Sequence, residues 1–118
     1  MKRSIDSLTK ELRVFAKERD WEQFHSPKNL SMALVVEVSE ILEIFQWLTP
    51  EESNKIKGEK LARVKEEIGD VMIYLTRLAD CLSISPLEAA FEKLEKNRNK
   101  YPVDKARGNA KKYTEFDR

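Results

Sequence analysis

The chain has 118 residues, with 22 Lys and Arg against 21 Asp and Glu, so its formal net charge is +1. This length is typical of one domain, and a nearly neutral chain offers no global positive field to a nucleic-acid backbone, which excludes a DNA or RNA polymer as the expected main partner. Charged residues make up 36% of the chain and there are only 3 Gly and 4 Pro, a composition that favours a soluble all-α protein.

Cysteine and histidine usage limits the chemistry further. A lone cysteine, Cys81, cannot form an intramolecular disulfide, and a lone histidine, His25, cannot build a histidine-rich metal site. The charged N-terminal segment is unlike a secretory signal, and no stretch approaches the roughly 20 apolar residues that a membrane span requires. We therefore expect a cytoplasmic protein without a membrane partner.

The first half of the chain predicts two helices and a loop. Apolar residues three and four apart over residues 5–19 predict an amphipathic helix, with Ser4 as its N-cap. Residues 20–29 contain aromatic side chains without a clear period and predict an ordered loop. Residues 30–48 are mostly apolar and predict a second helix that is buried around most of its circumference.

The second half contains two helix start signals. Thr49-Pro50, with Glu52 completing a capping box, predicts a short helix that ends near residue 58. Residues 59–83 predict a long helix in which Gly69 is tolerated at about 1 kcal/mol and allows close packing. Ser85-Pro86 predicts a last main helix, which residues 101–102 terminate.

These elements predict one all-α domain over residues 1–118, with a polar and basic tail from about residue 103. The predicted architecture is a four-helix bundle with one short extra helix. The apolar second helix needs a partner to cover it, so we expect an oligomer.

Two acidic pairs lie on apolar helix faces. At about 100° per residue, Glu37 falls inside the apolar arc of the second helix, and Glu40 lies about 60° away. In the third long segment Glu67 and Asp70 repeat the arrangement, with Tyr74 beside both. A bare carboxylate is costly to bury unless a positive charge compensates it, so the pairs predict a divalent cation. Carboxylate oxygens suit hard cations, and Mg²⁺ is the first choice.

A second interpretation of these pairs stays open at this point. In a chain with 21 acidic residues, such spacings also arise on solvated faces and in ion pairs. The protein would then be a non-catalytic helical oligomer that Mg²⁺ and nucleotide do not stabilise. A di-iron centre is disfavoured because it uses Glu-x-x-His pairs, and His25 lies outside both helices.

Aromatic and cationic residues could bind a nucleotide. Trp21 and Trp47 could stack on a base for about 1 to 3 kcal/mol, although core packing also explains aromatic residues of this kind. The helical spacing places Trp47 on the face of the second helix beside Glu40, which favours Trp47 as a base contact. The end of the last main helix carries a cluster of cationic and amide donors suited to phosphate oxygens. A simpler explanation is a favourable match between cations and the helix C-terminus. The cluster consists of Lys93, Lys96, Asn97, Arg98 and Lys100.

Four segments stand in order along residues 12–114: RDWEQFHSPKNL (19–30), EVSE with FQW (37–40 and 45–47), EEIGDV (66–71) and NRNKYP (97–102). Together they resemble the MazG-like all-α NTP pyrophosphatases, and within them the dCTP pyrophosphatase branch. The chain departs from the commoner E-V-G-E by placing Ser39 at the glycine position.

The resemblance implies an α-helical homotetramer that binds Mg²⁺ and hydrolyses a nucleoside triphosphate to the monophosphate and pyrophosphate. The implied metal ligands and catalytic residues are the acids isolated above: Glu37, Glu40, Glu67 and Asp70. The implied nucleotide contacts are Trp21, His25, Trp47, Tyr74, Lys93 and Asn97, together with Arg98 and Lys100.

We therefore expect a Mg²⁺-dependent pyrophosphatase that removes dCTP, or a modified relative of dCTP, from the nucleotide pool. An alternative keeps this chemistry and changes the base, for example to dUTP or to a broad set of triphosphates. A substrate panel distinguishes these two possibilities.

Overall fold

A computed structural model describes residues 2–116, and all of the regular secondary structure in this range is helical. The predicted all-α class is confirmed. The α-helices, in chain order, are α1 (Ile5–Glu18), α2 (Pro27–Phe45), α3 (Pro50–Ser53), α4 (Glu59–Cys81), α5 (Pro86–Lys100) and α6 (Val103–Ala106). Short 3₁₀ turns cover Glu22–Phe24 and Tyr113–Glu115.

The chain divides into two compact units, with the boundary between Ile84 and Ser85. In the first unit, α4 is the central helix, because both α2 and α1 pack against it. The 3₁₀ turn at Glu22–Phe24 lies in the connection from α1 to α2. The first unit therefore contains both predicted acidic pairs and the aromatic loop.

Helix starts are set by local hydrogen bonds that the sequence already indicates. The Ser4 hydroxyl accepts from the backbone N–H of Ser7, and Thr49 and Glu52 form a reciprocal capping box. The Ser85 hydroxyl accepts from the backbone N–H of Glu88. The three predicted N-caps are confirmed.

The predicted bounds of the second helix are wrong at both ends. The helix begins at Pro27, three residues before Leu30, because Ser26 caps it and Pro27 occupies its first turn. It ends at Phe45, which leaves Trp47 in the following turn. The short helix α3 also ends early, at Ser53. Residues 54–58 contain a single apolar side chain, so a longer helix would have no apolar face to bury.

The prediction that the second helix is buried around most of its circumference is also wrong for this chain. Leu30 and Ile44 are the buried residues of α2, whereas Val35 is 68% exposed and Leu42 is 60% exposed. The reason is geometric: α2 packs along one side against α4. A long apolar face of α2 is therefore left on the surface of the single chain.

Gly69 has no close neighbour that would require a glycine. A Cβ built on Gly69 meets no atom within 4 Å in the part of the chain that the structure describes. The expected close packing at this residue is therefore not seen.

Over residues 2–116, none of the helices combines the length and apolarity that a membrane span requires.

The second unit contains more structure than the predicted polar tail. Pro102 occupies the N-cap position of the short helix α6, and the 3₁₀ turn at Tyr113–Glu115 follows this helix. The Tyr101 ring packs edge-on against Tyr113 and Phe116, with centroids 6.0 and 5.6 Å apart. These aromatic contacts give the segment after residue 102 a small apolar cluster.

Candidate active site

An acidic cluster forms where α2 packs against α4. Glu37 comes from α2, whereas Glu67 and Asp70 are three residues apart on one face of α4. Each of the three contributes one carboxylate oxygen, and these oxygens all lie within 4.8 Å of one another. All three side chains are half-buried. The structure thus brings three of the four predicted metal ligands together.

Glu40, the fourth predicted ligand, stands outside this group of three oxygens but interacts with it. A hydrogen bond with Glu67 is the largest influence on Glu40, and together with the charge of Glu67 it raises the pKa of Glu40. The same bond lowers the pKa of Glu67, but desolvation and the charges of Glu37 and Asp70 outweigh it, so the pKa of Glu67 is raised. Glu40 therefore borders the cluster.

Burial and mutual repulsion make the cluster a poor environment for bare anions. Desolvation is the largest influence on Glu37 and, with the charges of Glu40 and Asp70, it raises the pKa of Glu37. The Oε2 atoms of Glu37 and Glu67 are buried, and within residues 2–116 neither has a hydrogen-bond partner. In the same range, Lys and Arg side chains form ion pairs with Glu51, Asp80 and Glu95 and not with Glu37 or Glu67.

The donor set suits a hard divalent cation. Unpartnered carboxylate oxygens that converge from two helices are the ligands that Mg²⁺ or Ca²⁺ takes, and the cluster contains no nitrogen or sulfur ligand. A cation between them would compensate the buried charge that no Lys or Arg in the described residues compensates. The residues present therefore fit a metal, and the ion-pair alternative for these acids is not seen.

A cavity of about 220 Å³ adjoins the acidic cluster. Asp70 belongs to both, since it lines the cavity as well as facing Glu37 and Glu67. Three predicted nucleotide contacts line the same cavity, from the aromatic loop and from α4: Trp21, His25 and Tyr74. Its remaining lining is mainly apolar, from α1 and α4: Leu12, Phe15, Ala16, Ile73 and Arg77.

Trp21 is positioned by the end of α1. Asp20 adopts a left-handed backbone conformation (φ 53°) that turns the chain back, and the Trp21 N–H donates to the Ala16 carbonyl at 2.9 Å. The indole then packs edge-on against Phe15 (centroids 5.6 Å apart) and His25 (6.4 Å). Trp21 stays 43% exposed, so one part of its ring is free to contact a ligand.

The His25 imidazole has an unpredicted partner, Arg77. The Nε–H of Arg77 donates to Nδ1 of His25 at 3.1 Å. The guanidinium of Arg77 also forms an ion pair with the Asp80 carboxylate, with 3.3 Å between Nη1 and Oδ2. Burial is the main cause that lowers the pKa of His25, followed by the charge of Arg77, against the opposing effect of Glu22. Arg77 lies three residues after Tyr74 on the same face of α4, a spacing that could have identified it.

Trp47 does not lie where the helical spacing placed it. Because α2 ends at Phe45, Trp47 is in the following turn rather than on a helix face beside Glu40, and it is 86% exposed. It does not line the cavity.

The remaining predicted contacts belong to the second unit. On α5 the charge of Lys100 is the main cause that lowers the pKa of Lys93, with burial and the charge of Lys96 adding to it, which indicates that these ammonium groups lie close together. Arg98 pairs with Glu95 at 2.7 Å, and Asn97 is half-buried. Lys100 Nζ lies 4.9 Å from the Tyr113 ring centroid.

The fold and the site define an all-α protein with a carboxylate cluster suited to a divalent cation beside an aromatic cavity. A family model described as the MazG-like family matches residues 32–116, which is most of the chain. The chain belongs to this family, as the sequence motifs predict.

Characterised relatives and a solved structure agree with this assignment. The chain is 45% identical to dCTP pyrophosphatase 1 of Rattus norvegicus over 106 residues, and 46% identical to that of Homo sapiens over 104 residues. These alignments cover 88% and 86% of the chain but only 62% and 61% of the relatives, so the chain spans less than two thirds of their length. A pyrophosphatase crystal structure from Archaeoglobus fulgidus superposes with a TM-score of 0.80 at 42% identity, covering 86% of this chain and 95% of that one.

Proposed function

We propose that this protein is a Mg²⁺-dependent nucleoside triphosphate pyrophosphatase that hydrolyses dCTP, or a modified dCTP, to dCMP and pyrophosphate. The observation that supports this most directly is the convergence of Glu37, Glu67 and Asp70 beside a cavity lined by aromatic residues. The names of the relatives add independent support, because they are dCTP pyrophosphatases and a pyrophosphatase.

In this proposal the acidic cluster holds the metal. Glu37, Glu67 and Asp70 supply the three converging oxygens, and Glu40 at the border supplies the fourth carboxylate. Mg²⁺ bound there supplies charge neutralisation for the triphosphate and lowers the pKa of a bound water. The two buried Oε2 atoms are the orphaned groups that such an ion would satisfy.

The reaction adds one water across the phosphoanhydride bond between the α- and β-phosphorus atoms. The water oxygen bonds to the α-phosphorus, the bridging oxygen leaves with pyrophosphate, and the proton of the water passes to one of the acids or, through a second water, to Glu66. Glu66 is exposed on α4 next to Glu67, so solvent can reach it. No covalent enzyme intermediate is required.

The cavity residues bind the nucleoside in this proposal. Trp21 and Tyr74 offer ring faces for stacking, and His25 offers a polar contact to the base edge. Trp47 is exposed and available to cover the base from outside. The α5 donors stay a separate prediction from the sequence, as contacts to phosphate oxygens: Lys93, Asn97, Arg98 and Lys100.

We propose a homotetramer for the assembly and the cytoplasm for its location. The assembly proposal is supported by the exposed apolar face of α2, on which Val35 and Leu42 are more than half exposed. Burying such a face between copies of the chain recovers hydrophobic free energy that the monomer leaves unused.

A thermal-shift measurement with a substrate panel tests the function. We expect Mg²⁺ and dCTP together to raise the melting temperature, and dCTP to give the fastest pyrophosphate release among dCTP, dUTP, dTTP and the purine triphosphates. Glu59→Gln, at an exposed acid in the first turn of α4, is a matched control that keeps full activity. Absence of both stabilisation and release contradicts the proposal, and a preference for dUTP reassigns the base.

A further inference from the structure

His25 and Arg77 form a contact that determines the hydrogen-bonding state of the imidazole. The Arg77 Nε–H points to Nδ1 of His25 at 3.1 Å. A guanidinium group can only donate hydrogen bonds, so Nδ1 must accept with its lone pair and cannot hold a hydrogen. A neutral imidazole whose Nδ1 accepts a hydrogen bond carries its one ring N–H hydrogen on Nε2.

The backbone of His25 is also held in place, which limits ring movement. Its N–H donates to the Glu22 carbonyl at 3.1 Å, and its carbonyl accepts from the Cys81 thiol at 3.5 Å. The ring packs edge-on against Trp21. Both the main chain and the ring of His25 are therefore restrained from two helical elements.

Arg77 is itself fixed by a second carboxylate. Asp80, one turn later on α4, accepts a hydrogen bond from the Arg77 guanidinium. The carboxylate of Asp80 also accepts from Nε of Arg13 on α1, at 2.8 Å. The side chains of Arg77 and Asp80 are only 11% and 13% exposed, whereas Arg13 is 58% exposed. The chain of contacts runs from the α1 surface through Asp80 and Arg77 to the ring that lines the cavity.

We propose that Arg77 is a positioning and specificity-determining residue, which holds His25 as the neutral Nε2–H tautomer so that the imidazole offers the cavity a hydrogen-bond donor. The ligand edge that meets His25 then has an acceptor atom, such as the carbonyl oxygen or unprotonated ring nitrogen of cytosine. A base edge that presents an N–H donor at that position, such as an amino group or a ring N–H, would face the Nε2–H and be rejected. This inference rests on the proposed function for the identity of the ligand but not for the state of the ring.

The electrostatic surroundings are consistent with a neutral ring. The titratable groups that contact His25 or act on its pKa are Arg77 and Cys81 on α4 and Glu22 on the preceding 3₁₀ turn. Asp80 pairs with Arg77, and Asp70 and Tyr74 line the same cavity as His25. Burial and the Arg77 charge lower the pKa of His25, and Glu22 only partly opposes them. The ring therefore stays uncharged at neutral pH.

Nitrogen-detected NMR of the free protein tests the state of the ring directly. His25 is the only histidine in the sequence, so its two ring nitrogens give unambiguous signals. We expect a neutral ring with hydrogen on Nε2 at neutral pH in the wild type, and a mixture of tautomers that titrates at higher pH in Arg77→Met. A wild-type ring with hydrogen on Nδ1, or a charged ring, overturns the inference.

Kinetics separate positioning from a structural role. In Arg77→Met we expect KM for dCTP to rise about tenfold with kcat within about twofold of wild type, and Arg77→Lys, which keeps a donor and a charge, to restore most of the loss. Arg63→Met, at an exposed arginine of α4, is the matched control and keeps wild-type KM. An unchanged KM in Arg77→Met overturns the positioning role.

The two proposals fail in different measurements. If the wild type releases no pyrophosphate from any triphosphate, the proposed function fails, while the imidazole signals of the same sample still report on Arg77. If Arg77→Met does not fold, as judged by circular dichroism, the same NMR comparison uses Arg77→Gln, whose neutral amide can accept from Nδ1–H as well as donate to Nδ1. We expect a larger Nδ1–H fraction in that variant than in the wild type, and an unchanged tautomer ratio overturns the inference.

Discussion

Glu37 on α2 and Glu67 on α4 face each other with Oε2 of each carboxylate buried and, across residues 2–116, without a hydrogen-bond partner. Desolvation is the main cause that raises the pKa of Glu37, and desolvation and neighbouring acids raise the pKa of Glu67 against the effect of Glu40. Groups whose folded pKa lies above the unfolded value stabilise the fold at low pH and lose that contribution as pH rises through the folded pKa. The metal-free cluster therefore weakens the fold at neutral pH.

The first prediction concerns metal and pH together. Mg²⁺ should raise the melting temperature more at about pH 8 than at about pH 5, because Glu37 and Glu67, whose pKa values are raised, are ionised and repel one another at the higher pH and are partly protonated at the lower. Differential scanning fluorimetry with Mg²⁺ and with a chelator measures the difference. An equal shift at both pH values contradicts a metal site in this cluster.

The second prediction concerns the loss of a ligand. Glu37→Gln or Asp70→Asn should lower Mg²⁺-dependent pyrophosphate release by at least about 100-fold, because each removes a charged oxygen from the converging set. The helix content by circular dichroism should stay at the wild-type value. Full activity in either variant would show that these acids do not hold the catalytic metal.

The third prediction separates stability from activity at one residue. Glu67→Gln should raise the melting temperature of the metal-free protein at about pH 8, because a neutral amide removes like-charge repulsion with Glu37 and Asp70. The same variant should lose pyrophosphate release and its response to Mg²⁺. Glu11→Gln, at an exposed acid in the interior of α1 and outside the cluster, is the control and should change neither property. A lower melting temperature for Glu67→Gln would mean that the acid stabilises the fold.

The fourth prediction concerns the network behind His25. Asp80→Asn should cost about 2 kcal/mol of unfolding free energy, because it leaves the mostly buried Arg77 guanidinium without its carboxylate. Arg13→Gln should cost less, because Arg13 is the exposed partner. The side-chain hydrogen bond from Arg13 is the main cause that lowers the pKa of Asp80, so this stabilisation is fully present above the ordinary aspartate pKa and is lost as pH falls from there through the lowered pKa of the folded state. Urea denaturation at about pH 7 and about pH 3 measures both effects.

The fifth prediction uses the glycine of α4 as a probe of assembly. Gly69→Ala should stabilise an isolated chain by about 1 kcal/mol and raise its melting temperature by roughly 4 °C, because alanine is the better helix former and no atom of the described residues meets the added Cβ. If another subunit packs closely on Gly69 in the oligomer, the substitution destabilises instead. Measurements above and below the concentration of oligomer dissociation, found by light scattering, distinguish these results.

The features predicted correctly from the sequence are those set by hydrogen bonds between residues close together in the chain. The N-caps Ser4, Thr49 and Ser85 were predictable because each bonds a backbone N–H three residues away. The start of α2 was missed although Ser26-Pro27 has the same chemistry, because the aromatic residues before it suggested a longer loop. At the other end of α2, the predicted position of Trp47 was wrong because the helix ends at Phe45, two residues before Trp47.

The amino-acid sequence alone determined the all-α class, the helix starts at Ser4, Thr49 and Ser85, and the spacing of each acidic pair, because all of these depend on residues within a few positions of one another. Only the tertiary structure decided that Glu37 meets Glu67 and Asp70, that α2 leaves an apolar face exposed, and that Arg77 holds the ring of His25. These features depend on how separate helices pack, and residues 52 positions apart in the chain, such as His25 and Arg77, are brought together by burial of apolar surface rather than by any local signal.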